Sequence, residues 1–148
     1  MKHLLIAGCG DLGIALAQRM LARGWQVTGL RRDPTALPAG VTPLTADLCQ
    51  DAQPADWPAR VDFVVYCPAA GKRDAALYHQ LYVKGLERVL GWLRSAGQQP
   101  EYLLQVSSTG VYAQQAGEWV SENSPALAGS ATAEALIAAE NIALRSGI

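Results

Sequence analysis

His3-Leu4-Leu5-Ile6-Ala7-Gly8-Cys9-Gly10-Asp11-Leu12-Gly13 is the stretch that decides the fold. Its first five residues are an apolar run of strand length that delivers directly into a glycine cluster. From Ile14 to Gly24 apolar residues recur at helical spacing (Ile14, Leu16, Ala17, Met20, Leu21), and the run ends on glycine. Trp25-Gln26-Val27-Thr28-Gly29-Leu30 then reads as a second strand. Between a strand and a helix, G-x-G-x-x-G has a physical reading. Gly8 permits a tight turn, Gly10 lets a pyrophosphate approach the backbone, and Gly13 lets the helix pack close to the strand. The helix start adds free N–H groups and the positive end of its dipole. Gly8, Gly10, Asp11, Leu12 and Gly13 are therefore expected to hold the diphosphate of a dinucleotide.

The bulk properties narrow the class. The chain has 148 residues, 50% of them hydrophobic, which suits one globular domain, and its net charge of -1 offers no basic surface for nucleic acid or an anionic membrane. Cys9, Cys49 and Cys67 form no C-x-x-C pair, so free thiols in a reducing compartment explain them better than a disulfide framework. Cys9 lies inside the glycine loop, where a small space-filling role outweighs a redox-sensitive one. No apolar run approaches membrane-spanning length, and with the first strand read from His3 no signal peptide is expected. The expectation is a cytoplasmic domain.

The end of the second strand bears on the cofactor. An acid there holds a ribose 2′-hydroxyl, whereas an arginine accommodates a 2′-phosphate. The strand runs into Arg31-Arg32-Asp33, with arginine first, which favours NADP over NAD, though Asp33 could still reach the ribose. Val41 to Thr45 reads as a short third strand whose Pro43 suits an end or an edge better than a central position. Asp47-Leu48 follows, then a proline-broken stretch to Arg60 with room for a short helix. Val61 to Cys67 is a fourth strand, apolar enough to be buried on both faces, and it ends in the small residues Pro68-Ala69-Ala70. Asp74 to Ala96 reads as one long amphipathic helix, in which Tyr78 and Tyr82 share a face and are read as packing. Tyr102 to Val106 is a fifth strand, ending in the hydroxyl-rich Ser107-Ser108-Thr109-Gly110-Val111-Tyr112. Gln114 to Pro125 is a polar loop, and Ser130 to Ser146 a final helix. Strands alternating with helices predict an α/β protein with a doubly wound parallel sheet, the Rossmann fold, flanked by helices.

With these residues in order, the chain resembles the extended short-chain dehydrogenase/reductases, also called the NAD-dependent epimerase/dehydratase family. The resemblance runs from Ile6 to Glu140 and rests on the glycine loop, Asp47-Leu48, Val64 to Ala70, Ser107 to Tyr112, Glu122-Asn123-Ser124-Pro125 and Glu140. It implies that Asp47-Leu48 lies against the adenine and that Pro68, Ala69 and Ala70 border the nicotinamide side. Ser108 aligns with the family's catalytic Ser/Thr. The family's Tyr-x-x-x-Lys pair is replaced by Thr132 and Leu136, and no tyrosine or lysine follows Tyr112. Tyr112 is the nearest tyrosine in sequence to serve as acid/base, at a position that is structural in relatives. Tyr82 stands near the place of the family's mid-helix asparagine.

Three expectations follow from the resemblance. The whole chain, residues 1–148, is a dinucleotide-binding domain, with the family's C-terminal substrate domain absent from it. Homodimerisation would use the two long helices. The function is that of an NADP(H)-preferring oxidoreductase or epimerase acting on a nucleotide sugar or small carbonyl compound. Loss of the Tyr/Lys pair favours an alternative, a non-catalytic module that binds the dinucleotide to sense or regulate. A third reading, an unrelated Rossmann reductase, fits the glycine loop but not the Ser107 to Tyr112 block.

Overall fold

A computed structural model describes residues 1–148. Five parallel strands form one sheet: β1 (His3–Ala7), β2 (Gln26–Arg31), β3 (Thr42–Thr45), β4 (Phe63–Tyr66) and β5 (Tyr102–Gln105), in the order β3-β2-β1-β4-β5. β1 is central, with Ala7 beside Leu30 on one side and Tyr66 on the other. The expected doubly wound parallel sheet is what forms. Pro43 lies on the edge strand β3, where its missing N–H leaves no ladder bond unmade. Strand order reverses between β1 and β4, so the crevice for a ligand opens at their carboxyl ends.

The apolar runs are continuous because both faces are covered. Leu4, Ile6, Val27 and Val65 pack with Cys9 and Cys67 against Ala17 of α1 (Asp11–Leu21). Leu5, Ala7, Leu30, Val64 and Tyr66 point the other way, against Leu81, Leu86, Val89 and Leu93. Those belong to one helical rod made of α2 (Ala75–Tyr78), a π turn (His79–Lys84) and α3 (Gly85–Ser95). The last helix, α4 (Ala131–Leu144), lies beside the rod and is capped by Ser130, whose hydroxyl accepts the Ala133 N–H at 3.2 Å. Fully burying one such aliphatic side chain contributes about 1.5–3 kcal/mol. The core therefore fixes which strand ends meet at the crevice.

Two elements depart from expectation. The long helix is not α-helical throughout: the Gly85 N–H reaches back to the Gln80 carbonyl, one residue further than in an α-helix. That frees the Leu81 carbonyl, which accepts the hydroxyl proton of Tyr66. Tyr66 is fully buried and must satisfy its O–H, so the wide turn answers a tertiary demand. The stretch between β3 and β4 forms turns but no helix. Pro54 and Pro58 interrupt it, and Trp57 is drawn aside to donate to Gln98 Oε1 at 2.9 Å and to pack edge-on against Trp92.

Candidate functional site

The turn after β1 follows from its residues. Gly8 has φ 85, and a side chain there would collide with the backbone of Pro68 at the end of β4. The N–H groups of Gly8 and Cys9 both bond to the Leu30 carbonyl, at 3.0 and 2.9 Å, which ties the loop to β2. Cys9 turns inward and is fully buried, so its thiol fills space between Gly13 and Gly29. Burial raises its pKa, against the opposing influence of Arg31. The Cys67 thiol, likewise buried, is pushed up to about 11. Gly13 brings α1 close to β1: a Cβ there would lie 2.9 Å from Ile6 Cγ2. At Gly10, by contrast, a Cβ would meet nothing within 4 Å. Above it the first-turn N–H groups of Asp11, Leu12 and Gly13 have no backbone partner, and no side chain caps the helix. Open space beside unpaired donors at a helix N-terminus fits a pyrophosphate.

Beyond the loop stand the residues at the end of β2. Arg31 leans back over the glycine turn, and its Nη1 donates to the Cys9 carbonyl at 3.2 Å. Arg32 is exposed. Asp33 is turned away: its Oδ1 accepts the Thr35 N–H at 3.0 Å and the Thr35 hydroxyl at 2.7 Å, and these bonds hold its carboxyl below the usual range. The one acid at this strand end is thus occupied in capping its own short 3₁₀ turn, Pro34–Ala36.

The other candidates gather along the same carboxyl edge. Asp47 opens the turn after β3, with Oδ1 accepting the Cys49 N–H at 2.9 Å. Arg88 of α3 donates to the Leu48 carbonyl at 3.0 Å. Pro68, Ala69 and Ala70 follow β4, and the Ala70 N–H donates to the Tyr82 hydroxyl at 3.2 Å. Burial raises the Tyr82 pKa, and Tyr78 adds to it. After β5, the exposed Ser108 Oγ accepts the Gly110 N–H at 3.1 Å, and its own proton remains free to donate. Ser107 Oγ is enclosed without a partner. Tyr112 is half-buried just beyond. The sequence marked Tyr82 as a packing residue near the place of the family's mid-helix asparagine, and gave Arg88 no role. Their partners are remote in sequence, so no local pattern marks them.

This edge can be set against known proteins. The model of the NAD dependent epimerase/dehydratase family matches residues 4–145. The chain belongs to that family. Among solved members, a Methylobacillus flagellatus protein assigned to the NAD-dependent epimerases/dehydratases is 38% identical, with a TM-score of 0.74, over 95% of this chain and 50% of its own. The Bordetella bronchiseptica enzyme WbmG, solved with NAD and UDP, is 21% identical over 100% of this chain and 50% of its own, with a TM-score of 0.76. The Thermus thermophilus UDP-glucose 4-epimerase, solved with NAD, is 23% identical over 95% and 49%, with a TM-score of 0.73. At those lower identities the likeness is one of fold. A search of curated proteins gives no match. The chain spans about half the length of these solved relatives.

Within this epimerase/dehydratase frame, the two replaced positions lie on α4. Leu136 is buried, with its Cδ1 3.9 Å from where a Gly110 side chain would begin, and Thr132 is half-buried one turn earlier. A leucine there packs under the Ser108 turn and offers no charge. No helix of the chain is long and apolar enough to cross a membrane.

Proposed function

We propose that this chain binds a nicotinamide dinucleotide along the carboxyl edge of its sheet, NADP(H) in preference to NAD(H). The observation that carries the reading is the glycine loop, where open space at Gly10 adjoins the unpaired N–H groups of Asp11, Leu12 and Gly13. Arg31 and Arg32 at the end of β2, with Asp33 occupied by Thr35, support the preference for a 2′-phosphate. Asp47 and Leu48 would border the adenine, and Pro68, Ala69 and Ala70 the nicotinamide side. The dinucleotide supplies hydride transfer. Ser108 would donate its free proton to a carbonyl oxygen of a nucleotide sugar or small carbonyl compound. By the family resemblance the rest of the substrate site would lie in the part of the relatives that this chain does not span, and dimerisation would use the helical rod from Ala75 to Ser95 together with α4.

A second reading, a non-catalytic dinucleotide-binding module, is favoured by Thr132 and Leu136, which can neither donate at a tyrosine's pKa nor lower one. Tyr112 is the remaining acid/base candidate under the first reading. Calorimetric titration of the chain with NADPH, and separately with NADH, tests the shared claim. Saturable binding with NADPH tighter is the expected result, abolished in Gly10→Asp by a carboxylate set against the diphosphate. Binding that survives Gly10→Asp unchanged would remove the site from the glycine loop.

A further inference from the structure

The proposed adenine wall has no strand or helix of its own, since the chain from Ala46 to Arg60 makes turns only. It nevertheless presents a defined pair of groups. Asp47 Oδ1 is taken by the Cys49 N–H, which leaves Oδ2 as a free acceptor, and the Leu48 N–H has no partner. An acceptor next to a donor complements the amino group and ring nitrogen on one edge of adenine. That turn is tied down by α3. Arg88 Nη1 donates to the Leu48 carbonyl at 3.0 Å and its Nε to Asp51 Oδ1 at 2.6 Å, from a side chain only 17% exposed. Trp92 Nε1 adds a bond to the Asp51 carbonyl at 3.4 Å. Gly85 lets the helix come near enough, because a Cβ there would press on the Leu48 carbonyl at 3.2 Å.

We infer that Arg88 is a positioning residue for base recognition: by pinning the Leu48 carbonyl and Asp51, it orients the turn that carries the Asp47 carboxylate and the Leu48 N–H. The inference rests on the cofactor reading above and adds to it the residue that makes an irregular turn selective. Arg88 touches no ligand itself. Its guanidinium supplies two donors in fixed relation, which one lysine ammonium cannot reproduce in full.

The test is base discrimination. The unsubstituted chain, Arg88→Met and Arg88→Lys are titrated with NADPH or NADH, whichever the unsubstituted chain binds more tightly, and with the hypoxanthine analogue of that coenzyme. Thermal unfolding is measured in parallel. The unsubstituted chain should prefer adenine by about tenfold or more, because hypoxanthine turns a carbonyl toward Asp47 Oδ2 and an N–H toward the Leu48 N–H and so loses both contacts. In Arg88→Met that preference should fall to about twofold, with Arg88→Lys intermediate. Equal weakening of both coenzymes, or a lowered unfolding temperature with full base preference, would make Arg88 merely structural and overturn the inference. Equal affinity of the unsubstituted chain for both coenzymes would overturn it too, while leaving the dinucleotide site standing. No binding of either would overturn the cofactor reading itself, and this inference with it.

Discussion

Arg31 and Asp33 stand two residues apart and face different tasks. The guanidinium of Arg31 reaches the Cys9 carbonyl, at the rim where a ribose would lie, whereas the carboxylate of Asp33 closes onto Thr35. Arg31→Ala should therefore weaken NADPH about tenfold or more, the scale of a lost charge-assisted contact, and leave NADH within about twofold. Parallel titrations check this. Equal losses would mean that Arg31 serves the loop through Cys9 rather than a phosphate. The order Arg-Arg-Asp was legible in the sequence. The orientation of Asp33 was not, because it depends on a hydrogen bond within the Pro34–Ala36 turn. The inward turn of Cys9 was legible only as a preference. It follows from two glycines, Gly13 and Gly29, meeting in space around the thiol.

At the scale of elements, the helical rod from Ala75 to Ser95 carries more than packing. Its apolar spacing predicted the rod, and Leu86, Val89 and Leu93 are indeed buried. The π turn inside it left no mark on that spacing. It exists because Tyr66, from β4, needs an acceptor, and Gly85 is the position at which its hydroxyl passes the helix. Gly85→Ala should destabilise the fold by about 1–3 kcal/mol, the usual cost of forcing an atom into a packed interior. Combining it with Tyr66→Phe should recover part of that loss, since the obstructing oxygen is gone. Urea denaturation of Gly85→Ala, Tyr66→Phe and the double variant decides the matter, and an unchanged midpoint for Gly85→Ala would show that Tyr66 swings aside without cost. The same rod carries Tyr82 to the Ala70 N–H and Arg88 to the Leu48 carbonyl, so one element steadies both proposed walls.

The whole molecule has a second polar assembly at the opposite edge of the sheet. The His3 N–H donates to Asp62 Oδ2 at 2.8 Å, Arg60 donates to Asp62 Oδ1 through Nε at 2.8 Å and Nη2 at 2.7 Å, and His3 Nε2 meets Thr28 Oγ1 at 2.8 Å. Burial lowers the His3 pKa from its ordinary 6.5, reinforced by Arg60 and opposed by Asp62. A base with a depressed folded pKa binds fewer protons folded than unfolded, so its contribution to stability is lost as pH falls below 6.5. Burial acts to raise the Asp62 pKa, but the bonds from Arg60 and His3 outweigh it and hold the group below 3.8. Its stabilisation is present above 3.8 and disappears as pH falls through the lower folded value. Thermal unfolding should therefore weaken in two stages, the first between about pH 7 and pH 5 and the second below about pH 4. His3→Gln should flatten the first stage alone. A first stage of equal depth in that variant would assign it to another group.

Sequence alone determined the alternation of strands and helices and the glycine loop between β1 and α1, because each depends on residues adjacent in the chain. Periodicity, turn chemistry and missing side chains act over a few residues and leave a pattern that can be read. Tertiary structure decided the rest. It turned Asp33 away, opened the π turn beneath Tyr66, and stretched Arg88 and Tyr82 to carbonyl and N–H groups on distant loops. Those outcomes depend on which buried polar groups find partners once the sheet closes, and the partners lie far apart in sequence.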